Sequence, residues 1–440
     1  MASGNITPGS PWNDRWLGVS SEELPAVGWA FLYFFCLMAG YYILQPLRDE
    51  LGISLGLENL PWLFMGTMGT MLLANPIFSM IAARFPRAVF LPLVYRFFLL
   101  NLFIFWGFLK WGPADIQVTV SQLFFVWVSV FNLFAVSVFW SFMADVFSSA
   151  QGKRFFGLIG AGGTLGQLAG SLMTAFLSSV VGKIDLLIFS MVLLEMVTFS
   201  VKRLSGRAGK TTGTDRLEET REKKKEASSG EMSGGAFSGV VQVLKSPYLI
   251  GICLFMFLYT FTSSFLYFAK TAIVKFSLSD SNARTAFFGS VNAIVAGTTL
   301  ILQLGVTGPL IKRVGIALTL GLVPGITVAG FAALYNWPWL YVFAAVEVIR
   351  KAGNYAFARP AREVLFTVVS REEKYQAKNL IDTFIYRGGD AFAALVFGWF
   401  ETRGYGMNQM LLLGIPMALL WLKVSLLLGR AHQAKEENST

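Results

Sequence analysis

Charged side chains stand where this sequence is otherwise apolar. Arg48, Asp49 and Glu50 close the first apolar run just after Pro46, Arg96 lies within the third, Glu195 within the sixth, and Lys270 ends the seventh. The tenth run carries Glu347, Arg350 and Lys351, and Lys374 leads into an eleventh that holds Lys378, Asp382, Arg387 and Asp390. A Lys, Arg or Asp at the centre of a membrane helix costs roughly 2.5–3.5 kcal/mol, so each such residue calls for a partner, a water-filled cavity or a ligand. Bond-making chemistry has little to work with. The single histidine, His432, falls in the polar C-terminal stretch, and Cys36 and Cys253 each sit inside an apolar run. No histidine-based catalytic arrangement, disulfide framework or metal-ligand set follows, and neither an enzyme nor a cofactor is expected.

Spacing suggests which charges cancel. Glu347 with Arg350 and Arg387 with Asp390 are three apart, and Lys378 with Asp382 four apart, so each pair can meet on one helix face. That leaves Arg96, Lys270 and Lys351 without a local acid. A surplus of cations around an interior cavity favours an anionic ligand. Arg48, Arg96, Lys270, Arg350, Lys351, Lys378 and Arg387 are therefore the candidate substrate-binding residues. Asp49, Glu50, Glu195, Glu347, Lys374, Asp382 and Asp390 are the candidates for coupling or gating. Lys110 and Lys423, near span ends, read as side chains that snorkel to the interface.

These residues must be positioned by membrane helices. Of the 440 residues, 55% are hydrophobic and only 14% charged, with a mean hydropathy of +0.58, which excludes a soluble enzyme. A span needs about 20 apolar residues, and the chain supplies runs near 27–46, 59–82, 88–109, 118–144, 155–179, 185–201, 247–269, 285–306, 315–334, 338–358, 377–400 and 406–429. The expected fold is an all-α membrane protein of twelve transmembrane helices in two six-helix halves, 27–201 and 247–429. Residues 1–26 form an N-terminal segment without a signal peptide, 202–246 a polar linker containing Lys223, Lys224 and Lys225, and 430–440 a tail. Basic residues crowd the even-to-odd connections (Arg84, Lys153, Lys312, Arg362) and are sparse in the others (Lys110, Lys183, Arg403), which puts both termini and the linker in the cytoplasm. Much of the formal +10 charge is thus topological, and no nucleic-acid surface is inferred. A faint repeat at an offset near 221 aligns Arg48 with Lys270 and Lys153 with Lys374. Six plus six helices about a central loop suggest the major-facilitator architecture, with binding near the midplane.

Two glycine patterns are read as structural. Gly206-Arg207-Ala208-Gly209-Lys210-Thr211 lacks the first glycine of a phosphate loop, where Leu204 stands, and has no preceding strand. The series Gly160, Gly162, Gly163, Gly166 and Gly170 falls inside a span, where small residues let helices approach closely.

At two places the sequence resembles the ATP/ADP translocase, or nucleotide transporter, family of plastids and intracellular bacteria. Phe139-Trp140-Ser141-Phe142, followed by Gly152-Lys153-Arg154-Phe155-Phe156-Gly157, is similar to that family's aromatic, Lys-Arg-Phe and Gly series. Arg362-Glu363, Glu373-Lys374 and Lys378 with Ile381-Asp382 resemble its Lys-Glu, Ser-Lys and Lys-x-x-Ile-Asp pattern, and Arg48-Asp49 stands where the family has Lys-Asp. The resemblance implies a secondary transporter that moves a nucleotide or related phosphorylated metabolite by alternating access, through ATP/ADP exchange or with protons. It places Arg48, Lys374 and Lys378 among phosphate-binding or gating cations. Arg48 and Arg362 replace lysines of the family, so fold is implied more strongly than substrate. A proton-coupled exporter, a lipid-headgroup flippase and a non-transporting scaffold are the alternatives. The expected partners are the anionic substrate and membrane lipid, with the chain a monomer in a bacterial inner membrane.

Overall fold

A computed structural model describes residues 19–84, 87–208, 243–370, 373, 377–378 and 380–437. Apolar runs of span length become helices because a segment in lipid must satisfy its own backbone hydrogen bonds. In the first half these are α1 (Leu24–Ser54), α2 (Leu60–Arg84), α3 (Arg87–Trp111), α4 (Ala114–Val146), α5 (Ser149–Val181) and α6 (Leu186–Ala208). In the second they are α7 (Pro247–Ser277), α8 (Ser281–Gly305), α9 (Thr307–Asn336), α10 (Leu340–Gly353), α11 (Tyr386–Thr402) and α12 (Met407–Glu437). Eight of the helices, α1, α3 to α5, α7 to α9 and α12, are long and apolar enough to cross a membrane.

Several helices depart from the sequence expectation; α6 and α7 run past the expected ends of their runs, and three departures bear on the charged residues or the backbone. The charged residues after Pro46 do not end α1, which continues through Pro46 to Ser54 and so carries Arg48, Asp49 and Glu50 on its last turns. Helix α9 starts earlier than expected but breaks at Gly315, whose φ of 78° is left-handed backbone that glycine adopts without strain. His432 is not part of a solvated tail. It is fully buried in α12, with its Nδ1 3.1 Å from the Tyr248 hydroxyl.

Each half has its own apolar core. Tyr33, Phe124, Phe131 and Phe139 centre the first, and Phe255, Met256 and Trp421 centre one in the second. Another cluster joins the halves, setting Leu60 and Leu63 of α2 and Phe125 of α4 against Phe268 and Phe397. The glycine series packs as its spacing suggests. Gly166 and Gly170 bring α5 onto the backbone carbonyls of Phe35 and Ala39 in α1, leaving no space for a Cβ.

Candidate substrate cavity

Between the halves lies a cavity of about 260 Å³. Its charged wall comes from α7, α10, α11 and the residues just after α10 in the second half. A π turn over Asn354–Ala358 follows α10, and the helix then resumes at Arg359–Val364. A second π turn, Ile381–Ile385, leads directly into α11. Such turns insert an extra residue per turn and recur at functional sites. Here the first lies between Lys351 and Arg359 and the second just before Arg387, all three of which line the cavity.

Within this wall the carboxylates are shared. Glu347 is buried and accepts Lys351 Nζ at 2.7 Å, with Arg350 3.9 Å away. Arg350 also donates to Ser263 Oγ at 2.8 Å, while its Nε is buried without a partner among the described residues. Arg387 lies 3.4 Å from Asp390, and Asp390 also accepts the Ser264 hydroxyl at 2.8 Å. Arg359 has no carboxylate within ion-pair distance among the described residues, and its guanidinium lies 4.5 Å over the Tyr355 ring. An aromatic face orients a cation without neutralising it.

The first half contributes the end of α1. Asp49 accepts Lys270 Nζ at 2.6 Å and the Tyr267 hydroxyl at 3.0 Å, tying α1 to α7. Arg48 donates to the Phe125 carbonyl at 3.1 Å and lies 3.8 Å over the Phe125 ring. The rest of this wall is neutral: Gln45 of α1, Thr67 and Met68 of α2, and Ser129 and Asn132 of α4. Asn132 has no side-chain partner among the described residues, and Gln45 Oε1 is buried without one. Six cations (Arg48, Lys270, Arg350, Lys351, Arg359, Arg387) therefore face three carboxylates (Asp49, Glu347, Asp390), a formal surplus of three positive charges.

Glu50, next to Asp49, points into a separate cluster. It is fully buried and accepts Arg284 at 2.6 and 3.0 Å, Lys183 at 2.9 Å and the Ser54 hydroxyl at 2.7 Å. Asn282 of α8 accepts the Lys183 backbone N–H at 3.0 Å. Two adjacent carboxylates of α1 thus each hold a cation from the second half.

Eight expected site residues meet at the cavity: Arg48, Asp49, Lys270, Glu347, Arg350, Lys351, Arg387 and Asp390. Others do not. Arg96 and Glu195 pair with each other at 3.3 Å on the outer surface, because α3 and α6 pack side by side at the periphery of the first half. Lys378 pairs with Glu363 and does not line the cavity. Lys270 and Lys351 do have acids, Asp49 across the halves and Glu347 one helical turn away. Lys374, and the side chain of Asp382, lie outside the described residues. Sequence reasoning missed Arg359, Arg284 and the neutral wall. Arg359 follows the π turn, where the tenth span was expected to end.

Among the described residues, twelve principal helices in two halves, packed around a cation-rich cavity, define a membrane transporter of the major-facilitator fold. Solved structures agree on that fold. A bacterial homologue of the iron transporter ferroportin in an inward-facing state matches with a TM-score of 0.66 at 11% identity, over 92% of this chain and 99% of the other. The xylose transporter XylE from E. coli, inward open, matches with a TM-score of 0.60 at 13% identity, over 91% and 96%. The pattern of the TLC ATP/ADP transporter family matches residues 119–338, half of the chain. This chain belongs to that family. ADP,ATP carrier protein 1 of Chlamydia muridarum is 23% identical, over 86% of this chain and 82% of the relative.

Proposed function

We propose that this protein exchanges nucleotides of the ATP and ADP type across the membrane by alternating access. The surplus of three positive charges in the cavity between the halves carries the reading. A di- or triphosphate brings several negative charges into a low-dielectric site where fixed cations act strongly. Phosphates bind the wall of Arg350, Lys351, Arg359 and Arg387, with Arg48 and Lys270 at its edge. The base lies toward Asn132, whose carboxamide has one donating and one accepting end to offer a heterocycle edge.

Glu50–Arg284 and Asp49–Lys270 form the latch that holds the halves together at the end of α1 remote from its N-terminus. With both termini in the cytoplasm of a bacterial inner membrane, this state is closed to the outside. Opening that face requires Asp49 and Glu50 to release their cations, and phosphates entering the cavity compete with Asp49 for Lys270.

Counterflow of labelled ATP in proteoliposomes tests the reading. Internal ATP or ADP accelerates uptake, and adenosine, which lacks the charge, does not. Equal acceleration by adenosine, or a response only to phospholipid, would refute nucleotide exchange. Cysteines replacing Ser246 and Ser279 test the orientation, since they must label from opposite sides of the membrane.

A further inference from the structure

The Arg96–Glu195 pair stands in the wrong place for a lone chain in lipid. Arg96 is the tenth of 25 residues in α3 and Glu195 the tenth of 23 in α6, so each lies about 14 Å along its helix, well within the hydrocarbon depth. Yet 53% and 51% of their side-chain surfaces are exposed. Around them the surface is a lipid-type stripe: Phe97 and Leu100 on α3, Val192, Met196 and Phe199 on α6, all exposed. Ionisable residues at that depth face a bundle interior or a partner, because hydrocarbon satisfies none of their hydrogen bonds. Within the chain the two share one contact, from Arg96 Nη2 to Glu195 Oε1 at 3.3 Å. A guanidinium offers five N–H donors and a carboxylate about four acceptor sites, so most of their capacity is unused among the described residues.

We infer that the α3 and α6 face is an intramembrane interface with a second copy of this chain. The charge pattern selects that occupant. A two-fold axis along the membrane normal keeps each residue at its own depth, and Arg96 and Glu195 already share one depth. Such an axis sets Arg96 beside Glu195 of the partner subunit and the reverse, giving four charges of alternating sign, which is the self-complementarity of an isologous contact. The exposed apolar side chains above and below then pack around the charges and keep lipid from them. The dimer departs from the monomer expected from sequence and leaves the cavity of each copy intact.

The test is energy transfer between donor- and acceptor-labelled full-length copies in liposomes. It compares wild type with the charge swap Arg96→Glu/Glu195→Arg, which preserves the pair within each chain and so the fold. Wild type with wild type, and swap with swap, give transfer above random encounter. Wild type mixed with swap sets like charges against each other across the axis and falls to the random level. The neutral variant Arg96→Leu/Glu195→Leu, which suits lipid, remains folded and also falls to that level. Wild-type transfer no greater than random, undiminished transfer in the mixed sample, or association of the neutral variant equal to wild type would each overturn the inference.

Discussion

The two walls of the cavity come from two six-helix halves, α1, α2 and α4 on one side and α7, α10 and α11 on the other, and they differ in kind. The second half supplies five of the six cations and two of the three carboxylates, on α7, α10, α11 and the short helix that begins at Arg359. The first half supplies Arg48 and Asp49 at the end of α1, and otherwise amide, hydroxyl, thioether and aromatic groups. On the proposed function the walls would divide the work, one recognising charge and the other shape and hydrogen-bonding pattern. The charged wall also carries internal repulsion, since its cations outnumber the acids that hold them.

The sharpest way to break this contrast is to remove a shared acid. Glu347→Gln strands Lys351 and leaves Arg350 beside it with no counter-charge, and breaking a buried pair in this way costs about 3–5 kcal/mol. The apo protein should melt far below wild type. Added ATP should raise its melting temperature more than it raises that of wild type, because phosphate replaces the missing carboxylate. An unchanged apo melting temperature would mean that Glu347 does not balance this wall.

Arg359 offers the converse within the same wall. Its guanidinium rests on Tyr355 without an acid, so Arg359→Ala should leave the apo protein as stable as wild type. Losing one hydrogen bond to a charged group, worth about 1.5–3 kcal/mol, should weaken ATP binding about tenfold to a hundredfold. A thermal shift assay with and without ATP separates the two effects.

The sequence made the charged wall readable and hid the other. A charge in an apolar run is costly enough to be conspicuous, which is why eight site residues from Arg48 to Asp390 are found without a structure. Two same-helix pairs are legible as well, Glu347 with Arg350 and Arg387 with Asp390, but partners on other helices are not, because helix rotation decides whether a mid-span charge faces the cavity or the periphery. Arg96 and Lys270 look alike in sequence, yet α3 turns one outward and α7 turns the other inward to Asp49. Asn132 and Ser129 are uncharged, and a neutral polar side chain in a span carries no comparable signal. The π turn after Gly353 is likewise invisible to periodicity, which ends the tenth run at residue 358, one short of Arg359.

For the neutral wall the expected effect is smaller. Asn132→Ala should leave stability unchanged, since the side chain has no partner to strand among the described residues. It should weaken ATP binding by about 0.5–1.5 kcal/mol, the usual worth of a neutral hydrogen bond, or roughly two- to tenfold. It should also narrow the difference in affinity between nucleoside triphosphates that differ only in base. If it weakened all of them alike, Asn132 would contact phosphate or ribose, and the division of labour between the walls would fail.

The smallest effect belongs to a charge outside both walls. Asp185, in the connection before α6, accepts Lys110 Nζ at 2.7 and 2.8 Å and Trp106 Nε1 at 3.0 Å, pinning α3 to α6 at the rim of the first half. The hydrogen bonds from Lys110 and Trp106 hold its carboxyl below the ordinary range against a smaller opposing effect of burial. A folded pKa below the unfolded value of about 3.9 means that the contribution is present above pH 4 and is lost as pH falls through the folded value. Lys110 is 36% exposed and the pair is screened by water, so its worth is about 0.2–1 kcal/mol. Wild type should therefore melt slightly above Asp185→Asn at pH 6, and the gap should close as pH falls below about 4. Nucleotide binding should be the same for both, because this charge lies outside the cavity. A transport defect in Asp185→Asn at neutral pH would mean that cations beyond the charged wall also act on the substrate.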